Sequence, residues 1–339
     1  MLDREKFQQR VVQPDMQALA AAVTLAKQGR FEGREVITAA MAWTAYACPA
    51  ATNAIYDTIA NSWLGNGDVA PLPDDLEVAP LEDSFWDAFW TVVDGQNYDA
   101  ISITVAVAAL SGALHPSMQQ ISENAARAHP GAAAALTRAV PGRTDIEALA
   151  ANPEGSLGHT LYRMIVDNGY DLEVLDREAI QLSELPQALQ YLNVRILQMH
   201  DVWHLVAGYS TSGSHEISIS AFQLAQFGHN YSAMFLGVGA MMSHASQPRA
   251  FPILMQLMME AWQHGRQTPV MMDIEWEQEW ANDIPAIRQK YAIEQYRSVL
   301  PADLLETATE APFWRKLGLG LKMASYSRRL RRGEYLHAA

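Results

Sequence analysis

The stretch LPQALQYLNVRILQMHDVWH, residues 185–204, decides how the chain is read. Leu185, Leu189, Leu192, Ile196, Met199 and Trp203 recur at steps of three and four, the stripe of an amphipathic helix with one face turned inward. His200 and His204 are four apart, and Asp201 and His204 three apart, so these side chains occupy neighbouring rows of one helix surface. The stripe runs into those rows, which sets the polar cluster against the interior. Gly208 and the run Ser210-Thr211-Ser212-Gly213-Ser214 then break the helix. Ser212 or Ser214 can cap a second helix whose first turn holds Glu216. The turn between them can bring that carboxylate back over the imidazoles. Two neutral imidazoles with one or two carboxylates suit a divalent metal with open positions.

Plainer readings of the same residues stay open. A histidine on an apolar face is commonly a hydrogen-bonded core residue. A glutamate in the first turn of a helix is stabilised by the positive end of the helix dipole without any ligand. The pattern is not the zincin His-Glu-x-x-His, because an aspartate, Asp201, follows the first histidine.

Composition frames the rest. With 339 residues, 49% hydrophobic and 18% charged, the chain forms one large domain or two and buries a substantial core. A single cysteine, Cys48, excludes an internal disulfide and fits a reducing compartment. The start, Met1-Leu2-Asp3-Arg4-Glu5-Lys6, is too charged to open a secretory or organellar targeting segment. The longest weakly polar run, 101–114, is too short to span a bilayer. These features predict a soluble cytoplasmic protein. The net charge of −14 argues against a nucleic-acid partner, whose phosphates require a basic surface.

Taken in order, residues 15–29 and 34–47 read as Ala-rich helices, and Pro49 opens a third of about 50–64. Residues 65–83, with two glycines, three prolines and six acidic side chains, form the best candidate for a linker or domain edge. An aromatic helix (Phe85, Trp86, Phe89, Trp90) follows, then helices near 98–113 and 117–128. Pro153-Glu154-Gly155-Ser156-Leu157-Gly158 forms a turn that opens a helix at His159. Beyond the second site helix at 214–227 lie a glycine- and methionine-rich region, 228–259, a helix to about Gly265, and a Trp-bearing helix with Trp276 and Trp280. Strand signals are sparse throughout, so the class is all-α, a multi-helix orthogonal or bundle-like domain.

From about Phe85 to Ile293 the chain resembles the coenzyme Q biosynthesis protein 4 family. Three features carry the likeness: the Pro-Glu-Gly-Ser-Leu-Gly turn at 153–158; His200-Asp201-x-x-His204 with Glu216 twelve positions on; and the run from Ala261-Trp262-Gln263-His264-Gly265-Arg266-Gln267 through Glu277 and Trp280 to Arg288. The resemblance divides the chain into an N-terminal helical extension (1–84), the family domain (85–295) and a C-terminal basic tail (296–339).

The resemblance implies a divalent metal, zinc by the usual assignment with iron or cobalt as alternatives, on His200, Asp201, His204 and Glu216. It implies an all-helical fold around an internal apolar cavity for a prenyl lipid, a homodimer, peripheral attachment at the inner membrane, and other ubiquinone-biosynthesis proteins as partners. The implied activity is removal of the C1 carboxylate of a polyprenyl-hydroxybenzoate with oxidation of that carbon. The alternative is a non-catalytic scaffold that presents the prenylated ring to other enzymes.

Further residues bear on that reading. His229 and His264 lie in apolar or helical contexts and serve either as acids or bases beside the site or as structural residues. Met241, Met242, Met255, Met258, Met259, Met271 and Met272 suit either a pliable isoprenoid cavity or ordinary core filling. In the tail, Trp314, Leu317, Leu321 and Ala324 form one helical face among Arg315, Lys316, Lys322, Arg328, Arg329, Arg331 and Arg332. A basic amphipathic helix with Trp at its start is the pattern of a segment that lies in a bilayer interface.

Overall fold

Apolar residues at helical spacing, cut by capping side chains and prolines, give a fold made of helices. The computed structural model describes the chain apart from residues 1, 66, 97, 170–176, 178–181, 335 and 337–339. In order the helices are α1 (Arg4–Arg10), α2 (Met16–Lys27), α3 (Phe31–Tyr46), α4 (Thr52–Leu64), α5 (Asp83–Asp94), α6 (Ala100–Ala109), α7 (Ser117–Ala128) and α8 (Ile146–Ala150). They continue as α9 (Leu157–Asn168), α10 (Gln187–Ala207), α11 (Gly213–Phe227), α12 (Asn230–Ser246), α13 (Phe251–Gln267), α14 (Ile284–Tyr291), α15 (Leu304–Thr309) and α16 (Phe313–Arg331). No strand occurs among the described residues, and the class is all-α. Caps fix several starts: Asp15, Asp99, Ser156, Ser212 and Asp283 each accept a backbone N–H of the first turn.

The main layers are α11 against α13 and α3 against α12, with α2 on α3 and α4 bridging α2 and α13. One hydrophobic cluster runs from Phe7 through Tyr46, Tyr56, Phe89, Trp203 and Trp262 to Leu330. The stretch 67–82 is non-helical, as its prolines dictate, yet the helices on either side of it share that core.

One sequence expectation changes and one open alternative narrows. The Trp-bearing segment is not an α-helix: only a 3₁₀ turn, Trp276–Gln278, forms there. Its backbone is used elsewhere, because Trp280 O accepts the Gly158 N–H at 2.9 Å and Asn282 O the Leu157 N–H at 2.8 Å. That pairing locks the 153–158 turn to the segment before α14. The methionines, for their part, are core residues. Met241, Met255, Met258, Met259, Met271 and Met272 are all buried within the cluster. Two open surface pockets lie elsewhere, one of about 320 Å³ lined by Val11, Val12, Trp43, Val78 and Trp86 and one of about 480 Å³ over Arg10, Pro14, Val36 and Ala40. The expected internal lipid cavity is not shown.

One close helix approach is at Gly265 of α13. A Cβ there would lie 2.7 Å from Ala225 Cβ and 2.8 Å from Phe222 O, both on α11. Gly239 of α12 has room, its nearest neighbour being the flexible Met258 Cε at 3.9 Å. Gly265→Ala is therefore expected to destabilise the fold by about 1–3 kcal/mol through overpacking. Gly239→Ala is expected to be neutral or to stabilise by up to about 1 kcal/mol through helix propensity. Urea denaturation of the two variants side by side checks the contrast.

Burial pushes two histidines down to about 4, His129 and His244, with the Arg266 and Arg34 guanidiniums respectively adding repulsion. His244 lies against Phe31, with ring centroids 4.7 Å apart, and neither ring nitrogen makes a hydrogen bond among the described residues. In the unfolded chain each titrates near its ordinary 6.5. The folded values are depressed, so the stability is intact above about 6.5 and is lost as pH falls toward 4, where the unfolded state takes up protons first. The melting temperature should accordingly drop between pH 7.5 and 5, and His244→Phe should flatten that drop.

Candidate functional site

The site is built where α10 ends and α11 begins. Gly208 takes the left-handed conformation (φ 82°) that ends α10, and both its N–H and that of Tyr209 return to His204 O. Ser212 then caps α11, accepting the His215 N–H, which leaves Glu216 in the first turn. Of the two serines that the sequence offered as caps, Ser214 is instead buried and its Oγ accepts the Leu305 N–H at 3.3 Å.

All four predicted side chains converge. Ligand atoms of His200, Asp201 and His204 lie within 4.8 Å of one another, and the two imidazole centroids are 4.6 Å apart. Glu216 closes the cluster from α11, with Oε1 3.4 Å from His204 Nε2 and Oε2 3.7 Å from His200 Nε2. Two ligand atoms on a tetrahedral zinc at about 2.0–2.1 Å are separated by roughly 3.3 Å, so these spacings match ligands that share an ion.

The outer nitrogens are committed. His204 Nδ1 donates to Ser210 O at 3.1 Å, and His200 Nδ1 pairs with Asp201 Oδ1 at 3.1 Å. Both bonds leave the Nε2 lone pairs facing Glu216, the tautomer that a metal requires. His204 is 1% exposed and its Nε2 makes no well-formed hydrogen bond among the described residues. A buried acceptor aimed at a carboxylate is costly unless a cation or proton lies between them. The residues present therefore fit a divalent ion.

The electrostatics agree. Burial alone would raise the Glu216 carboxyl, but His204, His200 and His215 hold it below the usual carboxylate range. For His200, burial works downward, yet the Asp201 hydrogen bond and the Glu216 charge leave its pKa raised.

Supports that the sequence reading did not assign hold these two helix ends. Arg288 donates to Val206 O and Leu205 O, both at 2.7 Å, capping the C-terminus of α10 with a cation. Glu306 of α15 accepts the Gly213 N–H at 2.7 Å, and Ser212 Oγ donates to Ala302 O at 2.6 Å. A helix C-terminus short of donors is a general cue for the arginine, but nothing in spacing points to Glu306, 93 residues from its partner Gly213.

His229 and His264 fall outside the four-residue cluster. His229 bonds Ser232 and Asn193, and burial, with the His200 charge nearby, pushes it down to about 3. His264 bridges Tyr209 OH (2.8 Å) and Glu294 O (2.9 Å).

A family model described as "Coenzyme Q (ubiquinone) biosynthesis protein Coq4" matches residues 85–297. The chain is similar to ubiquinone biosynthesis protein COQ4 homolog 1, mitochondrial, of Culex quinquefasciatus, at 28% identity over 151 residues, 44% of this chain and 52% of that protein. It is likewise similar to ubiquinone biosynthesis protein COQ4 homolog, mitochondrial, of Rattus norvegicus, at 26% over 149 residues, 44% and 54% of the respective lengths. The chain spans about half the length of the curated relatives it matches. A crystal structure from Nostoc punctiforme PCC 73102 aligns with a TM-score of 0.48 at 27% identity, over 62% of this chain and 97% of that one. The cluster, the 153–158 turn and Arg288 all lie inside the matched region, whereas α15 and α16 lie beyond it.

Proposed function

The chain belongs to the coenzyme Q (ubiquinone) biosynthesis protein Coq4 family, and from this membership we propose that it acts in ubiquinone biosynthesis as a metal-dependent oxidative decarboxylase of a polyprenyl-hydroxybenzoate. One observation carries the reading: the buried Nε2 of His204, its tautomer set by Ser210 O, faces Glu216 at 3.4 Å with no hydrogen bond to occupy it.

In this reading His200, His204 and Glu216 hold the ion, zinc first with iron and cobalt as alternatives. Asp201 orients the His200 ring and lends it negative charge. Glu216, kept ionised by its histidine neighbours, needs no deprotonation before it binds a cation. His200 does, because its pKa is raised, so metal affinity falls as the pH is lowered. When bound, a divalent metal with open positions supplies Lewis acidity toward the substrate's carboxylate or phenolate and toward charge developing on ring oxygen. In the overall reaction the bond from ring C1 to the carboxyl carbon breaks and a C1–O bond forms. Balanced against water as the oxygen source, carbon dioxide, two protons and two electrons leave, the electrons going to an external oxidant. No helix among the described residues is long and apolar enough to cross a membrane.

His204→Ala and Glu216→Ala are expected to lose bound metal by elemental analysis while keeping the helical circular dichroism of the parent. Asp201→Asn should weaken metal binding by about 10–100-fold without abolishing it, as expected of an orienting group. Parent-like metal content in the first two variants would sink the site.

The chemistry is tested separately. Protein loaded in turn with zinc, iron and cobalt, given polyprenyl-hydroxybenzoate and dioxygen, should release carbon dioxide with at least one metal. The His204→Ala protein should release none. Full metal occupancy with no carbon dioxide from any loading would leave the prenyl-lipid scaffold as the better account.

A further inference from the structure

α16 carries two apolar faces, and the fold uses only one. Tyr326 and Leu330 are buried in the core, with Leu319 and Met323 packed partly against it. Tyr326 OH donates to Gln256 Oε1 at 2.9 Å, which anchors the helix to α13. On the other side Phe313, Trp314, Leu317 and Leu321 are 78, 72, 55 and 67% exposed. At 3.6 residues per turn these four fall within an arc of about 100°, nearly opposite the buried face. They are four of the eleven large hydrophobic side chains exposed among the described residues, gathered on the first nine residues of one helix. Scattered exposed apolar residues are ordinary, but a contiguous aromatic and leucine face is not.

The charge around that face selects its occupant. Arg315, Lys316, Lys322, Arg328, Arg329 and Arg331 all stand on α16, which contains no acidic residue, in a chain of net charge −14. On the helical wheel Lys322 and Arg329 flank the apolar arc on one side and Lys316 on the other, while Arg328 and Arg331 extend it toward the C-terminus. An apolar stripe with basic shoulders is complementary to acyl chains beneath anionic headgroups.

We propose that α16 is a docking helix for an anionic lipid bilayer, inserting Phe313, Trp314, Leu317 and Leu321 while Tyr326 and Leu330 hold it to the body. The basic side chains then meet the headgroups and oppose repulsion of the acidic body from the surface. The helix is also coupled to the candidate site. Arg315 pairs with Asp303 at 3.1 Å, Lys316 Nζ donates to Thr309 O at 2.8 Å, and α15 between them presents Glu306 to the first turn of α11. The inference stands on exposure and charge and does not depend on the chemistry proposed for that site.

The test is flotation of the full chain with vesicles of equal parts phosphatidylcholine and phosphatidylglycerol, and with phosphatidylcholine alone. The parent should float with the anionic vesicles and at least tenfold less with the neutral ones. Trp314→Ser with Leu321→Ser, and separately Lys322→Gln with Arg328→Gln, should each weaken anionic binding by roughly tenfold or more. All four positions are exposed, so both variants should melt like the parent. Parent-like flotation of the serine double variant would overturn the proposal, as would equal binding to neutral vesicles. So would absent flotation together with a concentration-dependent dimer in sedimentation velocity that the serine variant abolishes, which would show a second copy of the chain as the occupant.

Discussion

The candidate site depends on how one buried imidazole is satisfied. His204 lies in the interior, and a neutral ring there has one proton to give and one lone pair to place. The fold gives the proton to Ser210 O, three residues past the end of its own helix, and aims the lone pair at Glu216. Neither could happen if α10 ran one turn further. Gly208 in the left-handed conformation turns the chain so that the Ser210 carbonyl comes back to the ring. The break between the two helices is thus part of the site, because it sets the tautomer.

Much of the remaining structure holds that break in place. Arg288 neutralises the carbonyl end of α10, Tyr296 N–H returns to Ala207 O at 2.8 Å, and Glu306 takes the first free N–H of α11. These contacts come from three separate segments after α13, so the C-terminal third of the chain is a clamp on the α10–α11 turn. The pairing of Leu157 and Gly158 with Asn282 and Trp280 extends the clamp to the 153–158 turn. Short motifs far apart in sequence are in this way parts of one support. His200 has a different constraint: half-buried, it pairs with its neighbour Asp201 on the same helix and faces Glu216 of α11 at 3.7 Å.

What the sequence made legible follows from range. The stripe from Leu189 to Trp203 and the four-residue step from His200 to His204 are local, and local periodicity survives folding. The cap at Ser212 and the place of Glu216 in the first turn were also readable, since both are settled within a few residues. The supports were not. Arg288 and Glu306 act across eighty or more residues, and no spacing rule connects them to their partners. The error at Trp276 and Trp280 has the same origin. Their spacing suits a helix, but the carbonyls of Trp280 and Asn282 are claimed by the 153–158 turn, and that tertiary pairing outweighs local propensity. The methionines left the reading open for another reason: a flexible thioether fits a cavity or a core equally well, and it is burial, as at Met255 and Met259, that places them in the core.

α15 and α16 show why the boundary of the matched region is not a boundary of the structure. The family match stops at residue 297, yet Glu306 caps a site helix and Tyr326 hydrogen-bonds inside the core. Removing the tail would uncover the core surface that Tyr326 and Leu330 pack against and leave the Gly213 N–H without its carboxylate, so the segment cannot be treated as an appendage. Point changes on its outer face are different, because Trp314 and Leu321 contribute nothing to the core that would be lost. A single helix can therefore be structural along one stripe and free along the other. The buried stripe is held by packing and by the Tyr326 hydrogen bond, whereas the aromatic and leucine side chains on the outer stripe add no packing to the core and need a reason outside it.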